Sequence, residues 1–181
     1  NMWFIEHKTR GALPGILCAA AVICALTFAL YWPVHSTFFV SDDFDWLAFV
    51  RGNRSIAEHF LTTAEGTRGR GVYRAATSVS VLVDHALFGL DPRGYHATSI
   101  FLLAGTAFFL FLLARERCAK HEWNNRAAAI AAFLFLAAPA NAEAAAWLSG
   151  RADVLAGFFG VLAAFLFLRW IFWRAFLENS R

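Results

Sequence analysis

The chain has 181 residues, of which 59% are hydrophobic, 17% aromatic and 16% charged, with a formal net charge of +3. Soluble domains carry about 25% charged and about 45–50% apolar residues, and the mean hydropathy here is +0.51, so a water-soluble globule and a disordered chain are both excluded. Three scattered cysteines are too few for a disulfide scaffold, and the length admits only a handful of spans of about 20 apolar residues each.

Four runs free or nearly free of charge are expected to cross a bilayer, over residues 12–32, 95–114, 127–146 and 153–173. The first is too long for the apolar core of a cleaved signal peptide. The third is the weakest, because Pro139 follows Arg126 closely and a full-length span must take in Asn141 and Glu143. Polar residues inside a span are costly and point to function. Cys18, Cys24 and Cys118 read as small packing residues.

Lys and Arg cluster in three flanks, at Lys8 and Arg10, at Arg115 to Arg126, and at Arg169 to Arg181. By the positive-inside rule these share the cytoplasmic side. The long segment 33–94 and the turn around Glu143 then share the other side. Tyr31, Trp32, Tyr95, Trp123, Trp147, Trp170 and Trp173 fall near span ends, where amphipathic rings settle.

The long outer loop carries local signals. Ser55-Ile56-Ala57-Glu58 is a capping box that predicts a short helix to about Ala64. Glu65 to Gly71 is a glycine- and arginine-rich break without the ending of a phosphate loop. Ala75 to Phe88 has helical periodicity, with Val79, Leu82, Val83, Ala86 and Leu87 on one apolar face, and Gly89 is a natural C-cap. This helix is expected to lie in the membrane interface.

Three places could carry chemistry. Asp42, Asp43 and Asp45 crowd three carboxylates into four positions, which suits a general base or a cation site. The plainer reading is that Ser41 caps a helix whose first turn holds the acids. Glu143 stands at the outer end of an apolar helix, followed by Trp147, Ser149, Arg151 and Asp153, and could equally mark an interfacial turn. Arg74, after Tyr73, could bind a phosphate bidentately or anchor its helix among lipids. His85 and His96 have no second ligand at metal spacing.

Four segments carry a resemblance. They are Phe39-Val40-Ser41-Asp42-Asp43, Tyr73-Arg74, Leu87 to His96 (LFGLDPRGYH), and Glu143 to Asp153 (EAAAWLSGRAD). In this order the chain resembles the N-terminal part of the GT-C membrane glycosyltransferases, in the branch of protein O-mannosyltransferase-like proteins with transmembrane segments and tetratricopeptide repeats. The resemblance implies an all-α polytopic membrane fold of about four spans, forming a single membrane domain over 1–181 within a longer module. It implies transfer of a sugar from a polyprenyl-phosphate donor to an acceptor hydroxyl, on protein or glycan, at the non-cytoplasmic side (periplasmic in a bacterium). Asp42 takes the role of catalytic base, with Asp43 beside it. Arg74 and Arg151 would neutralise the donor phosphate, and Glu143 would orient sugar or acceptor. If a divalent cation is used, Asp42 and Asp43 would hold it. The lipid bilayer is an expected partner and nucleic acid is not.

The sequence departs from the family pattern at Ala138-Pro139-Ala140-Asn141, where His-Pro-x-His is common, and at Ala75 and Ser99, where Pro and Asn are common. These departures and the short length motivate one alternative, a non-catalytic membrane binding or assembly protein that retains the fold.

Overall fold

A computed structural model describes residues 2–52, 55–57, 64–65, 71–118 and 124–179. The elements are α1 (Met2–His35), α2 (Asp43–Gly52), the two-residue strands β1 (Ala64–Glu65) and β2 (Gly71–Val72), α3 (Ala75–Phe88), α4 (Pro92–Arg117), α5 (Asn124–Leu136), α6 (Pro139–Ala146), a 3-10 turn (Leu148–Gly150) and α7 (Arg151–Asn179). β1 and β2 pair antiparallel, Ala64 opposite Val72. The protein is otherwise all-α among the described residues, as expected for a polytopic membrane protein. Of the predicted loop helix, Ile56 and Ala57 are helical and Ala64 is instead in β1; residues 58–63, residues 66–70 of the glycine-arginine break, and Trp123 lie outside the described residues.

Among the described residues, three stretches are long and apolar enough to cross a bilayer: Pro14–His35, Pro92–Arg117 and Leu148–Ala175. The predicted span 127–146 is not one straight helix. It bends by 55° between α5 and α6. Pro139 causes this, since it takes the first position of α6 and disfavours helical backbone at Ala138, which is extended (ψ 123°). The break frees carbonyls that lipid cannot satisfy. Two side chains satisfy them: the Tyr31 hydroxyl donates to the Leu136 carbonyl, and the Asn141 amide donates to the Phe135 carbonyl.

α4 is the central post, against which α1, α5 and α7 pack. The main core joins Ile23 and Tyr31 of α1, Ile100, Leu103, Ala107 and Phe111 of α4, Ala128, Ala132 and Leu136 of α5, and Val154 of α7. Gly105 permits a close approach here, because a Cβ at that position would stand 2.6 Å from the Phe158 ring. Leu17, Val22, Leu26 and Leu30 on α1, and Phe159, Leu166, Phe167, Ile171 and Phe172 on α7, face outward. So large an apolar surface fits hydrocarbon and not water. Cys18 and Cys24 are exposed on α1, so they do not serve as core packing residues. Tyr31 and Tyr95 are buried, which removes them from the aromatic belt; Trp32, Trp170 and Trp173 are exposed as a belt requires.

α3 reverses the ordinary rule. Its buried residues are Thr77, Ser78, Val81 and Asp84, while Val83 and Leu87 point out. Of the apolar stripe seen in the sequence, Val83, Ala86 and Leu87 are exposed, whereas Val79 and Leu82 are half-buried and Leu82 packs against the cluster of Phe39, Trp46 and Tyr95. A helix lying against a bilayer gains by presenting apolar side chains to lipid, and its polar side then needs partners within the protein. Gly89 ends it in a left-handed conformation (φ 61°), its N–H bonded to the His85 carbonyl. Glycine reaches this φ without the strain other residues incur.

Candidate functional site

The site is assembled at the end of the bundle where α1 leaves and α7 begins. The chain leaves α1 at His35, and Phe39 turns inward to stack edge-on with Tyr95 at 5.2 Å between ring centroids. Ser41 then takes φ 52°, a left-handed conformation with a positive φ in a non-glycine residue. Such conformations cost about 1–3 kcal/mol and cluster at functional sites. The helix ladder opens one residue later than the sequence implied: Trp46 N–H donates to the Asp42 carbonyl at 3.3 Å. Asp42, not Ser41, therefore occupies the cap, and the Ser41 hydroxyl donates to the Asp42 carboxylate at 2.9 Å.

The neighbouring acids have opposite surroundings. Asp42 is half-buried at the helix N-terminus, where the macrodipole favours a carboxylate. Asp43 is fully buried. Its Oδ1 accepts from Leu148 N (2.9 Å) and Ser149 N (3.3 Å), and its Oδ2 from Val40 N (3.0 Å). Burial pushes the Asp43 carboxyl above the ordinary aspartate range, while those N–H donors and nearby His96 pull the other way. The sequence could not distinguish the two acids; the structure commits Asp43 to tying α2 to the 3-10 turn.

That turn gathers the other elements. Trp46 Nε1 donates to Ser149 Oγ at 3.0 Å, and Arg74 Nη1 donates to the Ser149 carbonyl at 3.2 Å. Arg74 is exposed and precedes α3. Glu143 is exposed on α6, one turn before Trp147, whose N–H bonds the Glu143 carbonyl at 3.0 Å. His96 bridges the same region through Thr37 Oγ1 (3.2 Å) and the Ala145 carbonyl (3.3 Å).

Arg151, expected at a donor phosphate, directs its donors into the protein. Its side chain is fully buried and spends its donors internally. Nε donates to Ser99 Oγ (2.9 Å), Nη1 to Ser80 Oγ and Asp84 Oδ2 (both 2.8 Å), and Nη2 to the Tyr95 carbonyl (2.7 Å). Thr98 Oγ1 completes Asp84 at 2.8 Å. This network pins α3 and α4 to the start of α7. Asp84, Ser149 and Trp46 were not singled out from sequence as site residues. The available signal was Asp84 itself, an acid in an apolar helix segment, which needs a buried cation.

Asp43 makes stability depend on pH in a defined direction. Its folded pKa lies above the unfolded value of about 3.9. The advantage of the folded state is fully present below the unfolded pKa and is lost as pH rises through the folded one. In detergent, wild-type protein is therefore expected to lose stability relative to Asp43→Asn as pH rises through that window. A difference with no pH slope, or one of opposite sign, would refute the assignment.

The described helices thus define a polytopic all-α membrane protein whose polar residues converge at one end of the bundle. In sequence, the chain is 31% identical over 158 residues to protein O-mannosyl-transferase Tmtc1 of Drosophila melanogaster, covering 83% of this chain and 17% of that protein. It is 28% identical over 97 residues to protein O-mannosyl-transferase TMTC2 of Mus musculus and of Homo sapiens, covering 54% of this chain and 11% of each relative. The chain is thus related to the protein O-mannosyl-transferases and spans less than one fifth of the length of those it matches. No family model and no solved structure matches it.

Proposed function

We propose that this membrane domain is the N-terminal part of a GT-C-type enzyme that transfers mannose from a polyprenyl phosphate to a protein hydroxyl on the non-cytoplasmic side. The observation that carries the reading is the division of labour between adjacent acids. Asp43 is consumed in holding the fold, and Asp42 is presented at a left-handed turn beside it. The relatives are protein O-mannosyl-transferases, which supports the sugar and the protein acceptor. The basic flanks Lys8–Arg10, Arg115–Arg126 and Arg169–Arg181 support the sidedness.

In this reading Asp42 takes the proton of the acceptor hydroxyl. The hydroxyl oxygen bonds to the anomeric carbon as the bond from that carbon to the phosphate oxygen breaks. The electron pair leaves with the polyprenyl phosphate, and Arg74 offsets its charge. Arg74 hangs over the Ser149 carbonyl by one nitrogen, which aims its guanidinium without burying it. Glu143 orients the acceptor or the sugar from α6. If a divalent cation takes part, the half-buried Asp42 carboxylate offers it an oxygen, whereas both Asp43 oxygens already accept backbone hydrogen bonds.

The test is transfer of labelled mannose from a polyprenyl phosphate by the product of the native gene. Transfer to serine or threonine hydroxyls is expected. Carrier binding without any transfer would replace this reading with the non-catalytic one, which the loss of the family histidines at Ala138 and Asn141 favours.

A further inference from the structure

At the opposite end of the bundle from Asp42, α1 and α5 part to leave a groove of about 330 Å³. Its walls are apolar, with Gly15, Ala19 and Ile23 on one side, Ala129, Ala132 and Leu136 on the other, and the aromatic rings of Phe111 and Phe133 also lining it. Arg115 of α4 and Asn125 of α5 stand at its mouth. Arg115 Nε donates to Asn125 Oδ1 at 3.1 Å. That bond fixes the guanidinium at the groove but does not neutralise it, and no carboxylate pairs with Arg115 among the described residues. The neighbouring acid Glu116 faces Arg169 instead, at 3.8 Å.

The dimensions decide what fits. The α1 wall runs from Gly15 to Leu26 and the α5 wall from Asn125 to Leu136. Each is about 16 Å of helix at 1.5 Å per residue. The hydrocarbon core is about 30 Å thick, so one leaflet supplies about half of that. A further membrane helix would need a groove running the full thickness. One acyl chain of a single leaflet matches the observed length. Arg115 lies at the end of a spanning helix, which is the depth of the phosphate layer. A guanidinium there binds phosphate by charge-assisted hydrogen bonds.

We propose that this groove is a binding site for one phospholipid of the leaflet on the Arg115 side, with an acyl chain between α1 and α5 and the phosphate on Arg115. Bound lipid would then fill the gap between two helices that both lean on α4. The site is separate from the transfer chemistry and does not depend on it.

The test uses the full product of the native gene, purified in mild detergent, with phosphatidylglycerol as the probe and native mass spectrometry as the readout. One tightly retained phospholipid per chain is expected. Arg115→Gln should weaken retention about fivefold, Arg115→Lys should largely restore it, and Arg126→Gln, an exposed cation outside the groove, should leave it unchanged. Gly15→Leu provides a second route. A Cβ there meets nothing within 4 Å, so the variant fills the groove without disturbing the backbone and should also lose lipid. Wild-type protein that retains no phospholipid would overturn the proposal. So would equal loss in Arg115→Gln and Arg126→Gln, or full retention in Gly15→Leu.

Discussion

Asp42→Asn is expected to lower sugar transfer by about 10²–10⁴-fold, the usual contribution of a positioned general base. The protein should remain folded in the membrane. The change keeps the size of the side chain, and its amide oxygen still accepts from the Ser41 hydroxyl. The Asp42 carbonyl that opens α2 is backbone and is untouched. Asp43→Asn supplies the contrast. It loses part of an acceptor set spread over Val40, Leu148 and Ser149, so its defect should show in thermal stability as well as in turnover. Transfer assays on both variants at matched amounts of folded protein separate the roles. Undiminished transfer by Asp42→Asn would remove Asp42 as the base. Loss in Asp43→Asn alone, with stability intact, would move the base by one residue.

The second large effect concerns Arg151. Truncating one partner of a buried ion pair costs about 3–5 kcal/mol, because the other charge is left without compensation. Arg151→Met should therefore unfold the protein in detergent at markedly lower temperature. Asp84 would lose its cation, and Ser80, Ser99 and the Tyr95 carbonyl would lose their shared donor. Removing the charge from both ends, as Arg151→Met with Asp84→Leu, should recover much of the loss, since well-packed apolar pairs often replace buried ion pairs without penalty. Arg151→Met at wild-type stability would show the network to be dispensable. A double variant no better than the single one would mean that the hydrogen bonds, rather than the charge pair, hold α3 in place.

Much of this was legible in the chain. Apolar runs, flanking bases and Pro139 placed the helices, because a bilayer imposes length and composition rules that act residue by residue. The site was legible only as candidates. Asp42 and Asp43 are chemically identical neighbours in sequence. They differ because Asp43 meets backbone N–H groups more than one hundred residues away. Arg151 carries a positive charge in a segment that resembles a donor-binding motif. Its burial depends on Asp84, 67 residues earlier, which no local pattern connects to it. α3 was legible as a helix with one apolar stripe, but not the inward turn of its polar side. In water the apolar face of a helix turns inward, whereas against lipid the preference reverses, and sequence periodicity gives the stripe without its direction.

That inverted helix bears on how the molecule is made. Asp84 leaves the ribosome 67 residues ahead of the arginine that will neutralise it. Until α7 arrives, its carboxylate has no cation and the polar flank of α3 has no dry place to go. The buried pair forms only when the helix that carries Arg151 is in place. The polar end of the bundle is thus closed by a pair whose two halves are supplied 67 residues apart, so α3 cannot complete its polar contacts without α7.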